Sequence, residues 1–266
     1  YLEFLNDALK AYDNSERYAL KANNITLLVE IKLLKGELYY YVRQYVLAKK
    51  IFQEAFLLAK SKSMEKEQHD AQVRIADLLI TAGKYKKARE IYHKFIDYMS
   101  NNDNLLELAY WIGKLAGVYK LEGNYDLAKE YFYNAANIAA KAGSKSYNAW
   151  YLHEIANIDL IEWNLDESIQ KYRSILEIAI EQKNTLMLSH IYQGLGDAYI
   201  KTGNLPDAIL NYTHAINIIE DKRENLRVDQ LRIGYFFKSY EIYQNLALCF
   251  LERYEAEKDK NDLDSL

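Results

Sequence analysis

The chain has 266 residues, half of them apolar, with 34 Lys and Arg against 38 Asp and Glu for a net charge of −4. That balance, with no basic cluster, argues against nucleic-acid binding, which depends on Lys and Arg neutralising phosphates. No apolar run approaches the roughly eighteen residues of a membrane span, and a lone cysteine, Cys249, excludes both an intramolecular disulfide framework and a multi-cysteine metal site. A lone thiol suits a reducing compartment, so a cytoplasmic location is expected. Tyr1 opens the chain with neither Met nor a leader, which reads as a piece of a longer protein.

In chain order, a partial unit comes first, marked by Ala8 and Tyr12. Five full units follow, each with an early small residue, a later small residue and an aromatic. They carry Gly36, Ala48 and Phe52, then Ala76, Ala88 and Tyr92, then Ala116, Ala128 and Phe132. The fourth has Ala156, Ser168 and Tyr172, and the fifth Gly196, Ala208 and Tyr212. Corresponding positions lie forty residues apart, as from Ala48 to Ala88 to Ala128. Such a fixed period marks a repeat array.

Each unit reads as two antiparallel helices. The early small residue lies on the first helix and the later one on the second, so the two backbones approach closely. The aromatic fills the space between one pair and the next. Gly83, Gly123 and Gly203 stand where the first helix must end in a left-handed conformation. Asn124, Asn164 and Asn204 follow as expected N-caps, with Asp126, Asp166 and Asp207 near the positive end of the second helix. The single proline, Pro206, falls in a first turn, where its missing N–H costs nothing. The fourth unit departs from the pattern: Asp159 stands in place of Tyr, Trp163 in place of Gly and Ser168 in place of Ala, so it is expected to be looser or specialised.

The stretches LAGVYKLEGNYDLAKEYFYNAA (Leu115–Ala136) and LGDAYIKTGNLPDAILNYTHAI (Leu195–Ile216) resemble the tetratricopeptide repeat. The resemblance covers residues 1–221 and implies an all-α fold, a right-handed superhelical solenoid of antiparallel helix pairs. Its period of forty exceeds the usual ~34 residues, implying helices longer by nearly a turn. Residues 222–266 lack the repeat signature and read as a C-terminal capping helix or a junction. The apolar residues Leu231, Phe236, Phe237, Tyr240, Tyr243, Leu246, Phe250 and Leu251 surround much of that helix, which predicts cover on more than one side. Cys249 reads as core. AINIIEDKRENLR, LRIGYFF and YEIYQNLALCFLE, between Ala215 and Glu252, resemble the segment joining tetratricopeptide repeats to a caspase-like CHAT protease domain in bacterial proteins.

Catalytic motifs are absent. His153-Glu154 begins like a zinc-protease motif, but Asn157 replaces the second histidine. Gly194-Leu195-Gly196 is half a dinucleotide fingerprint with no strand before it. No phosphate-binding loop or nucleophile elbow occurs. His153 and His190, on neighbouring first helices, have the spacing to share a face. With Asp197 they are weighed as a metal site and read instead as ordinary groove residues. No enzyme activity, metal or cofactor is expected.

What the family resemblance implies is a partner-binding groove lined by the first helices. Carried over, the inward positions are Glu30, Leu33, Glu37, Tyr40 and Tyr41, then Asp70, Val73, Asp77 and Ile80. Next come Tyr110, Gly113, Gly117 and Lys120, then Trp150, His153, Asn157 and Leu160, and last His190, Gln193, Asp197 and Lys201. The carboxylates Glu30, Glu37, Asp70, Asp77 and Asp197 outnumber Lys120 and Lys201, so negative potential is expected, and with it a basic or mixed-charge protein or peptide partner. Gly113 and Gly117 are expected to leave bare backbone for that partner. The Lys/Asn/Arg clamp by which chaperone-binding members of the family hold an acidic terminus is missing. Besides a free-standing scaffold, the arm of a CHAT protease and a peptide-sensing bacterial regulator fit the same pattern.

Overall fold

The computed structural model describes residues 2–100, 103–224 and 229–263, with side chains at 5–100, 103–224, 240–256 and 258. Of the C-terminal segment read from the sequence, residues 225–228 and 264–266 and the side chains of Leu231, Phe236 and Phe237 lie outside the described residues. The described residues form twelve α-helices. They divide into two compact units, Tyr1–Asn124 and Tyr125–Leu266. The first unit holds α1 (Leu2–Lys21), α2 (Ile25–Tyr41), α3 (Tyr45–Ser61), α4 (Glu65–Thr81), α5 (Tyr85–Met99) and α6 (Leu105–Leu121). The second holds α7 (Tyr125–Lys141), α8 (Lys145–Ile161), α9 (Leu165–Glu181), α10 (Thr185–Lys201), α11 (Leu205–Glu224) and α12 (Asp229–Leu263).

The forty-residue period resolves into a finer one. Helices such as α2, α3, α8 and α9 are each 17 residues long. A residue at positive φ closes these helices, at Asn23, Arg43, Ser63, Gly83 and Gly123 in the first unit and at Gly143, Trp163, Lys183 and Gly203 in the second. Successive closures are twenty residues apart except between Gly83 and Gly123, which are forty apart. At Gly83 (φ +69°) the Lys84 N–H reaches back to the Leu79 carbonyl at 2.8 Å, the long bond of a Schellman closure. The sequence placed this turn at glycines alone. Arg43 and Trp163 hold it at φ 62° and 63°, where a side chain costs about 1–2 kcal/mol that the closing bonds must offset.

Side-chain caps also differ from expectation. Asn164 makes no side-chain cap bond, whereas Asn204 accepts from the Asp207 N–H at 3.3 Å. Most side-chain caps sit on first helices instead, where Asn24, Asn104 and Asn184 accept from Leu27, Glu107 and Met187 at 3.0–3.2 Å.

The core follows the repeat. Ala48, Ala88, Ala128 and Ala208 are fully buried, as are Tyr92, Tyr172 and Tyr212, with Phe52 nearly so. Gly36 and Gly196 lie so close to the aromatics that a Cβ would fall 2.4 Å from Phe52 and 2.6 Å from Tyr212. The divergent fourth unit is not loose. Ser168 replaces alanine and donates its hydroxyl to the Ala156 carbonyl at 2.9 Å. Asp159 is buried between Lys171 at 2.7 Å and Lys129 at 3.4 Å, and Lys129 also bonds Glu162 at 2.6 Å.

In α12, Ile242 and Cys249 are buried against the cluster that contains Tyr212 and Ile219, and the core reading of Cys249 holds. Cover on more than one side does not. Tyr240, Leu248, Phe250, Leu251 and Tyr254 are exposed, because the buried line of α12 spans only one stripe of its surface.

Candidate functional site

Within each unit the first helices approach one another, α2 with α4 and α8 with α10. Every fortieth residue along them recurs as a ladder position, Glu37, Asp77 and Gly117 in the first unit and Asn157 and Asp197 in the second. The second-helix aromatic fifteen residues later decides what each rung does. Tyr92 donates to Asp77 Oδ1 at 2.6 Å, Tyr172 to Asn157 Oδ1 at 2.5 Å, and Tyr212 to Asp197 Oδ1 at 2.5 Å. These tyrosines therefore place apolar rings in the core and satisfy their hydroxyls at the face, as a buried phenol requires. Phe52 has no hydroxyl, and its rung, Glu37, accepts instead from Arg74 Nε at 2.7 Å. Phe132 is matched fifteen residues earlier by Gly117, which has no side chain to receive one. The sequence held this signal as a covariation among its own repeats: Tyr with Asp or Asn, Phe with Glu or Gly.

The charge count changes accordingly. Asp77 sits 2.9 Å from Lys114 Nζ, and Glu37 pairs with Arg74. Each cation comes 37 residues after its carboxylate, on the next first helix, and the sequence count omitted both. Burial works against the Lys114 ammonium, but the charge and hydrogen bond of Asp77, with Tyr110 and Tyr40 beside it, together outweigh it and raise the lysine pKa. Burial also raises the Asp70 carboxyl pKa, and Arg74 bonds the Asp70 carbonyl at 3.1 Å. The expected surplus of negative charge is thus offset at two of five positions.

The other inward positions divide by burial. Glu30, Tyr41, Tyr110, Trp150 and Lys201 are exposed. Tyr40, Ile80, Gly117, Lys120, Gln193 and His190 are half-buried. Leu33, Val73, Gly113, His153 and Leu160 are buried, because neighbouring helices cover the flanks of each first helix. Gly113 therefore offers no bare backbone. Gly117 does: a Cβ there would meet nothing within 4 Å.

In the second unit the structure brings together His153, His190 and Trp150. The imidazole centroids are 6.0 Å apart, and the indole lies 5.6 and 5.9 Å from them. Asn157 Nδ2 lies 3.2 Å from His153 Nδ1. Burial, and then the adjacent His153, lower the His190 pKa. Among the described residues no group of three or more His, Cys, Asp or Glu has the arrangement to hold a metal ion. Nor is any described helix long and apolar enough to cross a membrane.

Asp197 accepts at 3.3 Å from Asn245 on α12 as well as from Tyr212, and burial raises its pKa. Asn245 is a site residue the sequence did not reveal, since no repeat period reaches it.

The sequence model of the tetratricopeptide repeat matches residues 112–141 and 189–222. No curated protein sequence matches the chain. Among solved structures, BtubC (BKLC) from P. vanneervenii is similar at a TM-score of 0.67 and 17% identity, over 84% of this chain and 92% of that one. A putative kinesin light chain of Podosopora anserina with nearly identical TPR-like repeats gives 0.59 at 14%, over 75% and 97%. A Rap protein complexed with competence and sporulation factor gives 0.58 at 15%, over 94% and 75%. The chain contains tetratricopeptide repeats at 112–141 and 189–222, and its fold is that of a tetratricopeptide-like helical solenoid.

Proposed function

We propose that the chain is a non-catalytic scaffold whose first-helix face binds a protein or peptide of mixed charge. The observation that carries this is the face of the first unit. There the ion pairs Glu37–Arg74 and Asp77–Lys114 share the first helices with the exposed rings of Tyr41 (76% exposed) and Tyr110 (40%). Exposed tyrosines beside satisfied charges offer contact area at low entropic cost, and alternating charges set register more than raw affinity. Glu30, Asp70 and Lys120 complete the proposed contact set of this unit; on the first helices of the second unit, Trp150, His190, Gln193 and Lys201 are proposed as a contact set of their own. The lone buried thiol suits a cytoplasmic setting.

The test is affinity capture with the chain as bait, comparing wild type with Tyr41→Ser/Tyr110→Ser and with Glu37→Lys/Asp77→Lys. A partner lost by both variants at unchanged helicity supports the face. One retained by both moves the site elsewhere.

A second reading, a peptide-sensing regulator, is favoured by the likeness to a Rap protein seen with competence and sporulation factor. Its test is a screen of short synthetic peptides for an upward shift in melting temperature. The CHAT-linked reading rests on the segment after Asp221 alone. It is tested by sequencing the parent gene past the codon for Leu266.

A further inference from the structure

The forty-residue period stops before α12, but the sequence of α10 reappears there at a longer step. Ile191-Tyr192-Gln193-Gly194-Leu195-Gly196 aligns with Ile242-Tyr243-Gln244-Asn245-Leu246-Ala247, and Ile, Tyr, Gln and Leu are identical. Packing keeps that register. Ile191, Leu195 and Ala198 are buried in α10, and in α12 their counterparts Ile242 and Cys249 are buried, with Leu246 packed against the same cluster. Gly194 faces the tyrosine of the preceding second helix, where a Cβ would fall 2.6 Å from the Tyr172 hydroxyl. Its counterpart Asn245 lies 3.3 Å from the Tyr212 hydroxyl. By sequence and by contact, α12 is built as the first helix of a further repeat.

The other side of α12 breaks the likeness. Gly196 is buried because its own second helix lies on it, with Tyr212 closest. On α12 the counterpart Ala247 is exposed, and Leu248 and Leu251 are about half exposed (54% and 52%). With Gln244 and Asn245 they line a hollow of ≈ 400 Å³. The chain does not fold back over this face at the step the repeats use. Gly203 closes α10, but its counterpart Tyr254 lies inside α12, which runs on to Leu263.

We propose that this face docks a helix of a partner protein built like a second repeat helix, with alanine followed four residues later by phenylalanine. The contact continues the α10–α11 interface by one step: a small residue on each helix lets the backbones approach, and the ring covers Ala247. Leu248 selects the ring. It stands at the ladder position of Asp197, which accepts the Tyr212 hydroxyl. Leu248 offers no acceptor, so a tyrosine buried there would leave its hydroxyl unmet, whereas phenylalanine leaves nothing unpaired. Phe52 and Phe132 show that the repeat accepts phenylalanine at this place. None of the first-helix contacts proposed above takes part, so the two readings fail independently.

The test adds to the full chain a fluorescein-labelled peptide copying Tyr125–Lys141, which carries Ala128 and Phe132. A staple across Glu130 and Asn137, both exposed, holds it helical. Fluorescence anisotropy is expected to show saturable binding. Ala247→Lys/Leu251→Lys in the chain, or Phe132→Ala in the peptide, is expected to weaken it roughly tenfold or more. Phe132→Tyr is expected to weaken it about tenfold, the effect of one unmet hydroxyl. No binding by the stapled peptide overturns the proposal, as does binding undiminished by the double variant or by Phe132→Ala. Equal or tighter binding of the Phe132→Tyr peptide overturns the choice of ring. A dimer seen by sedimentation and abolished by the double variant, with no peptide bound, gives the face to a second copy and overturns the partner helix. Ala247 and Leu251 are exposed, so the variant is expected to keep its helicity and melting temperature, and these are measured alongside.

Discussion

The two units treat the same ladder position in opposite ways. In the first, a cation on the next first helix pairs with each of Glu37 and Asp77, at a surface that is about one-third open (34% and 29%). In the second, Asn157 and Asp197 are held by neutral donors: Tyr172 for Asn157, and Tyr212 and Asn245 for Asp197. A tyrosine hydroxyl is common to Asp77, Asn157 and Asp197 and absent at Glu37, and a charge-bearing partner is optional. The position is therefore structural first, and its chemistry toward a partner is set by what else reaches it. Net charge read down a column of inward residues misses this, because it counts carboxylates without their acceptor duties.

The largest effect that would break this comparison is expected at Asp159, whose carboxylate holds two lysines at a position occupied by Tyr119 and Tyr199 in the flanking repeats. Asp159→Ala is expected to cost about 2–3 kcal/mol, since it removes a buried carboxylate that pairs with two half-buried lysines, Lys129 keeping only Glu162, and urea unfolding reads it directly. A loss below 1 kcal/mol would mean that water already screens the network. Next come the contact glycines. Gly36→Ala in one unit and Gly196→Ala in the other are each expected to cost roughly 1–3 kcal/mol, because the Cβ must displace a buried ring.

The hydroxyl ladder separates the units more finely. Tyr212→Phe leaves half-buried Asp197 with Asn245 alone, and about 1–3 kcal/mol is expected to be lost. Tyr92→Phe leaves Asp77 its Lys114 partner and some solvent, so a loss near 1 kcal/mol is expected. Equal losses, measured by denaturant melts, would show that the ion pair does not substitute for the hydroxyl.

Acidification acts through the histidines. His190 in the second unit and His69 in the first both have pKa values lowered from 6.5, chiefly by burial. The unfolded chain then binds more protons than the folded one as pH drops. Their stabilisation is present above pH 6.5 and is lost as pH falls through the folded-state values. Hydrogen exchange at pH 7.5 and at about pH 5.5 is expected to show faster opening in acid, and His190→Asn to reduce the change in the second unit. Asp70 and Asp197, with raised pKa values, act with the opposite sign: stability is present below the ordinary carboxylate value and is lost as pH rises through the folded ones. The smallest effect is a gain. Gly117→Ala enters open space on a helix and is expected to stabilise by about 0.5–1 kcal/mol.

The sequence by itself determined the helix pairs, the small-residue contacts and the aromatic core, because each depends on spacing along one helix or across one turn. Ala48 and Tyr92 could be placed from period alone, and so could the glycine closures at Gly83 and Gly203. Only the tertiary structure decided that closures recur every twenty residues at Arg43 or Trp163 as readily as at glycine. It alone paired Asp77 with Lys114 and buried Gly113. Asn245 was likewise beyond reach of the sequence, which has no repeat to carry it to Asp197. The physical reason is common to these cases. A repeat fixes which faces of neighbouring helices meet, but hydrogen bonds and ion pairs depend on which atoms come within about 3 Å, and that is settled only when the helices pack.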